Sequence, residues 1–190
     1  MGAAPARVAA LFASAGGGCV IRILAIDQAK TAGYAVFEDG ELMEYGTLVI
    51  GRKADVYESI LFSAREKIGG LIRETKADMV IIEDIQQQKA SVSTYKKLAM
   101  LMGALVCLIQ EYRLPYDIVP PVRWKSFCGI KGRKREEQKD NTVRFVAEKF
   151  NIIGVSEDIA DAISMGYFAA CHVGEPAENK EGGIPCIRKL

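Results

Sequence analysis

The chain has 190 residues, 25 basic and 24 acidic, for a formal charge of +1, with 49% hydrophobic and 26% charged residues. That composition argues against wholesale disorder and fits one domain with a full core, while the near-zero charge means that any nucleic-acid binding rests on a local patch. Five cysteines without a CxxC spacing argue against a disulfide scaffold or a thiolate zinc site, and a single histidine, His172, excludes His-pair metal sites. A metal bound here would be held by carboxylates, which points to Mg²⁺ or Mn²⁺.

Residues 1–20 have no acid, one base (Arg7) and a Gly16-Gly17-Gly18 run. They read as a disordered extension or over-long start, with an organelle-targeting segment or a secretory signal as alternatives. No unbroken apolar run approaches the roughly 18–20 residues of a membrane span. From Ile21 the pattern becomes regular. Residues 21–27 form an apolar strand ending on Asp27, and 33–37 and 42–50 form two more strands around an Asp39-Gly40 hairpin turn. Val56, Ile60, Leu61, Ala64, Ile68, Leu71 and Ile72 recur at helical spacing, predicting an amphipathic helix over 54–75. Residues 79–83 are a fourth strand, apolar until Glu83, as a buried parallel strand should be.

A second helix spans about 93–112. Its residues 98–109 are apolar or Gly without a break, which predicts a helix either buried or covered by a partner subunit. Residues 116–119 are a fifth strand closed by Pro120-Pro121. A helical segment follows near 122–127, where Trp124 and Phe127 share a face and read as core. Next come the basic loop 129–135, a helix over 136–150 and a last helix over 156–171, before a loose tail from 174 to 190. Three antiparallel strands followed by β-α-β-α alternation require a mixed five-stranded sheet with parallel crossovers, flanked by helices.

Four carboxylates stand out by position. Asp27 and Glu83 end strands that a mixed sheet can lay side by side, and Asp158 and Asp161 share one face of the last helix. Gathered together, they would repel unless divalent cations neutralised them. Singly each has a plain explanation, as a strand-end turn residue or as an acid near a Ser156 N-cap. Asp161 has none, since it interrupts an otherwise small and apolar helix.

These residues, the Ala25-Ile26-Asp27 string with its following hairpin, Ile81-Ile82-Glu83, and Asp158-Ile159-Ala160-Asp161-Ala162, resemble the RuvC-type Holliday-junction resolvases of the ribonuclease H-like superfamily. The opening Ser93-Thr94-Tyr95-Lys96-Lys97-Leu98 looks like the phage-borne branch. The resemblance spans roughly residues 21–172 and implies a ribonuclease H-like nuclease domain over 21–173. It also implies a cytoplasmic, homodimeric endonuclease acting on four-way or branched DNA, with no membrane partner, leaving 5′-phosphate and 3′-hydroxyl ends. Asp27, Glu83, Asp158 and Asp161 would hold two Mg²⁺ ions, replaceable by Mn²⁺. Lys125 and Lys139 match lysines near the scissile phosphate. Lys131, Arg133, Lys134 and Arg135 are either a solvated loop or a clamp on the phosphates of the junction arms.

Where some members carry a stacking aromatic, this chain has Gln86, followed by Gln87. These glutamines can hydrogen-bond DNA but cannot wedge by stacking, which implies relaxed sequence preference. Another ribonuclease H-like nuclease acting on RNA–DNA hybrid or other branched nucleic acid, or a non-catalytic binding module, stays open.

Overall fold

A computed structural model describes residues 20–52, 54–85 and 92–172. Residues 1–19, 86–91 and 173–190, including Gln86, Gln87, the N-terminal extension and the tail, lie outside the described residues. The strands are β1 (Arg22–Asp27), β2 (Thr31–Glu38), β3 (Glu41–Val49), β4 (Met79–Glu83) and β5 (Tyr116–Val119). The helices are α1 (Tyr57–Thr75), α2 (Val92–Glu111), α3 (Pro121–Phe127), α4 (Arg135–Phe150) and α5 (Glu157–His172).

The sheet order is β3-β2-β1-β4-β5. β1–β2 and β2–β3 are antiparallel, while β1–β4 and β4–β5 are parallel. The Asp39-Gly40 turn has positive φ at both residues, 49° and 90°. That is the backbone a tight two-residue hairpin demands.

Both sheet faces are covered, and the period-2 alternation of β1 feeds each. Leu24 and Ile26 pack with α1 and α2 residues such as Ile68 and Leu105. Ile23 and Ala25 pack with Trp124, Val146, Ile163 and Phe168 from α3, α4 and α5. The unbroken apolar run of β4 follows from the same double coverage.

The apolar run of α2 is not a fully buried core helix. Leu101, Leu105, Leu108 and Ile109 are buried, whereas Met100, Gly103 and Cys107 are exposed along the opposite side. Averaged over its 20 residues (mean hydropathy 1.5), α2 is long and apolar enough to cross a membrane by length and composition, which the count of unbroken apolar residues did not suggest. Its leucine face is part of the core beneath the sheet.

Helix α5 lies unusually close to the sheet because glycines make room for it. A Cβ added at Gly33 in β2 would fall 1.9 Å from the backbone oxygen of Asp158, and one at Gly166 would fall 2.7 Å from the Phe37 ring. Gly33 pairs with Asp27 across the β1–β2 ladder, so the start of α5 is seated directly beside the end of β1. Replacing Gly33 by Ala forces backbone apart and is expected to cost roughly 1–3 kcal/mol or more, as overpacking does. Gly103→Ala meets nothing within 4 Å and should gain up to about 1 kcal/mol from helix propensity. Urea unfolding of both variants checks the contrast, and equal stabilities would contradict the close seating of α5.

Candidate metal centre and nucleic-acid cleft

The parallel pairing of β1 and β4 aligns Ile26 with Ile82. One step further along, Asp27 and Glu83 leave the sheet side by side at its carboxyl edge, where open α/β sheets place their ligands. Asp158 and Asp161 arrive from the first turns of α5, held against that edge by the Gly33 contact. All four line one cleft of about 540 Å³, together with Gln28, Asp84, Thr94, Tyr95, Lys125, Arg135, Gln138, Lys139 and Glu157.

Electrostatics in the cleft follow from burial and like charge. Burial raises the Asp27 carboxyl well above its usual range, and Glu83, Asp161 and Asp158 raise it further, while Lys125 opposes them. Glu83 is pushed up to about 7, mainly by burial and then by Asp161; Lys125, the Trp124 indole and Arg135 pull it back. Asp161 rises to about 6, again by burial first, against Lys125, Thr142 and Lys139. Asp158 is raised by burial and by Glu157, with Lys139 opposing.

Trp124 is a core residue, as its spacing suggested, but its buried indole also donates to Glu83 Oε1 at 3.2 Å. Phe127, by contrast, is 42% exposed and meets Tyr167, Phe168 and His172 in tilted and edge-on ring contacts at the far end of α5. Lys125 stands 5.0 Å over the Trp124 ring and close enough to act on three of the acids. Lys139 is committed to an ion pair with Glu157, which holds it beside Asp158.

The basic run divides. Arg135 is the first residue of α4 rather than part of a loop, and it lines the acid cleft. Lys131, Arg133 and Lys134 remain in the connection before α4 and are exposed. This connection is tied down: Gln138 Nε2 donates to the Gly132 carbonyl at 2.9 Å and Asn141 Nδ2 to that of Lys131 at 2.5 Å. Lys131 and Lys125 also border a second hollow that adjoins the cleft through Pro121 and Gln138.

Sequence reasoning missed Gln28, Asp84 and Tyr95. Asp84 follows a recognised acid, and its N–H bonds to the Val119 carbonyl at 2.9 Å, so its position was legible once β4 and β5 were paired. Gln28 carried no pattern of its own, and Tyr95 was noted only within the Ser93–Leu98 string, with no role in a site.

Six acidic side chains and three basic ones line the cleft, a formal excess of three negative charges. Carboxylate and amide oxygens without thiolate or imidazole are the donor set of a hard divalent cation. Among the described residues, no three Asp, Glu, His or Cys side chains form a ready ligand set, so binding would have to draw these acids together against their repulsion.

No family model matches the sequence, and no curated protein matches it. Solved structures do. RuvC of T. thermophilus in complex with a Holliday junction substrate superposes with a TM-score of 0.63 at 11% identity, covering 78% of this chain and 92% of that one. A second Thermus thermophilus RuvC structure gives 0.61 at 13%, with the same coverages of 78% and 92%. The yeast mitochondrial Holliday junction resolvase Ydc2 gives 0.55 at 12%, covering 89% and 85%. At these identities the likeness is one of fold, and the fold is ribonuclease H-like.

Raised carboxyl pKa values make the folded chain hold protons that the unfolded chain releases. The stability that Glu83 contributes is therefore full below about 4.5 and is lost as pH rises through about 7. Glu83→Gln, which imitates the protonated acid, should match the cation-free wild type near pH 4.5 and exceed it in Tm near pH 8. Calorimetry across that range checks the sign; a variant less stable near pH 8 would contradict it.

Proposed function

We propose that this chain, built on the fold seen in RuvC-type resolvases, is a metal-dependent endonuclease that resolves four-way DNA junctions by paired, symmetric nicks. The observation that carries this reading is the meeting of Asp27, Glu83, Asp158 and Asp161, from two strands and a helix, in one cleft with an excess of negative charge. The fold supports it, since similar structures are RuvC bound to a Holliday junction substrate and a mitochondrial Holliday junction resolvase.

Two divalent cations, Mg²⁺ or Mn²⁺ in its place, would neutralise the phosphate and serve the attacking and leaving oxygens of an in-line displacement. Asp27 and Glu83 would hold them from the rigid sheet edge, and Asp158 and Asp161 from successive positions on one face of α5. Trp124 steadies the Glu83 carboxylate through its indole N–H. Lys125, within reach of Asp27, Glu83 and Asp161, offsets negative charge that builds on the phosphate. Lys139, fixed by Glu157, does the same on the α5 side. Lys131, Arg133 and Lys134 take phosphates of the arms, an attraction that weakens steeply with salt. Gln86 and Gln87 contact DNA without stacking, which favours relaxed sequence preference.

Symmetric nicking needs two such clefts related by a two-fold axis. The exposed apolar side of α2, with Met100, Gly103 and Cys107, supports a homodimer formed there.

On a synthetic four-way junction with Mg²⁺, wild type should release ligatable nicked duplexes. Asp27→Asn should lose roughly 10²–10³-fold or more in rate while still shifting the junction in a gel. Preferential cutting of an RNA–DNA hybrid would move the assignment to another nuclease of this fold, and binding without cutting in either metal would make the chain a binding module. Sedimentation should give a dimer that Met100→Glu converts to monomer; a monomeric wild type at micromolar concentration would remove the dimer.

A further inference from the structure

Gln28 follows Asp27 at the end of β1 and is only 6% exposed, although it carries a full amide. Its Nε2 donates to the backbone carbonyl of Glu83 at 2.6 Å. That bond fixes which way the amide faces, because turning it over would set two carbonyl oxygens against each other. The amide oxygen, Oε1, is buried and has no hydrogen-bond partner.

Leaving a buried carbonyl unpaired costs free energy, and native structures keep few such groups without a reason such as an ion or an ordered water. Methionine would fill a similar volume with no unpaired oxygen. The other buried side-chain atom left unpaired among the described residues, Ser164 Oγ, belongs to a residue that does not line the cleft. Gln28 does line it, together with Asp27 and Glu83.

We propose that Gln28 is a positioning residue of the cation site. Its donor ties the end of β1 to the end of β4, so that Asp27 and Glu83 stay adjacent. Its oxygen is the neutral acceptor that pairs with the hydration shell of the bound cation. Magnesium-like ions keep several waters when held through one or two carboxylates, and those waters need acceptors. An amide supplies one without adding a further negative charge to a cleft already in excess. This inference rests on the cation-dependent reading above and adds to it a residue that is not a carboxylate.

The test is Mn²⁺ affinity, measured by electron paramagnetic resonance on DNA-free protein well below its Tm, for wild type, Gln28→Met, Gln28→Glu and Asp27→Asn. The Tm of each cation-free protein is read alongside. Gln28→Met is expected to bind Mn²⁺ about 10–100-fold more weakly, as loss of a partner that orients a metal site does, with a cation-free Tm lowered at most by loss of the hydrogen bond to the Glu83 carbonyl. Gln28→Glu keeps an oxygen acceptor but loses the donor to the Glu83 carbonyl, so it should bind more tightly than Gln28→Met yet more weakly than wild type, at a lower cation-free Tm because it adds an acid and sets oxygen against oxygen. If Gln28→Met loses Tm but binds Mn²⁺ as wild type does, Gln28 serves packing alone and the inference is overturned. If Asp27→Asn also binds as wild type does, the cation reading falls with it, so the two failures are distinguishable.

Discussion

Carboxylates taken out of water lose hydration, and each one placed near another loses more by repulsion. Asp27, Glu83 and Asp161 meet both penalties, with burial first among the causes for all three and neighbouring acids adding to it for each. The rest of the cleft answers that cost. Lys125 faces three of the acids, Lys139 is anchored on their α5 side by Glu157, and Trp124 spends its only polar group on Glu83. The answer is partial, since negative charge still exceeds positive along the lining.

The sheet and the helices divide this task. Parallel β1 and β4 present two acids from neighbouring strand ends, which fixes their spacing by backbone hydrogen bonds rather than by side-chain packing. Helix α5 presents the other two, and here distance is set by what is missing from the side chains beneath it. Gly33 and Gly166, with Ala25 and Ala35 beside them in the core, let the helix backbone settle nearly onto the strands. A single methyl at Gly33 would reach the carbonyl of the residue that carries one of the acids.

Much of this was readable beforehand, for identifiable reasons. The continuous apolar stretch of β4 reported a strand buried on both faces, and Asp39-Gly40 announced its own turn. Asp161 was the telling residue in sequence, because an acid within Ile159-Ala160-Asp161-Ala162-Ile163 has no capping role to excuse it. Other features depend on tertiary contact and left no local trace. Arg135 belongs to the cleft only because α4 begins one residue before the expected start, and the run of bases gave no sign of a boundary. The unbroken apolar run of α2 left burial and coverage by a partner both open, and only its contacts show which side faces the core. Gln28 looked like any polar residue after a strand until its amide was found between two strand ends.

The seating of α5 against Gly33 bears on how the protein is made. The acids of β1 and β4 come early and middle in the chain, but their counterparts belong to the last described helix, more than a hundred residues after Asp27. A ribosome-bound fragment lacking that helix has a half-lined groove with three of its six acids, and no amount of folding of the earlier strands supplies the others. The full set of cleft acids is therefore assembled only once the last described helix has been made, a delay set by the order of synthesis.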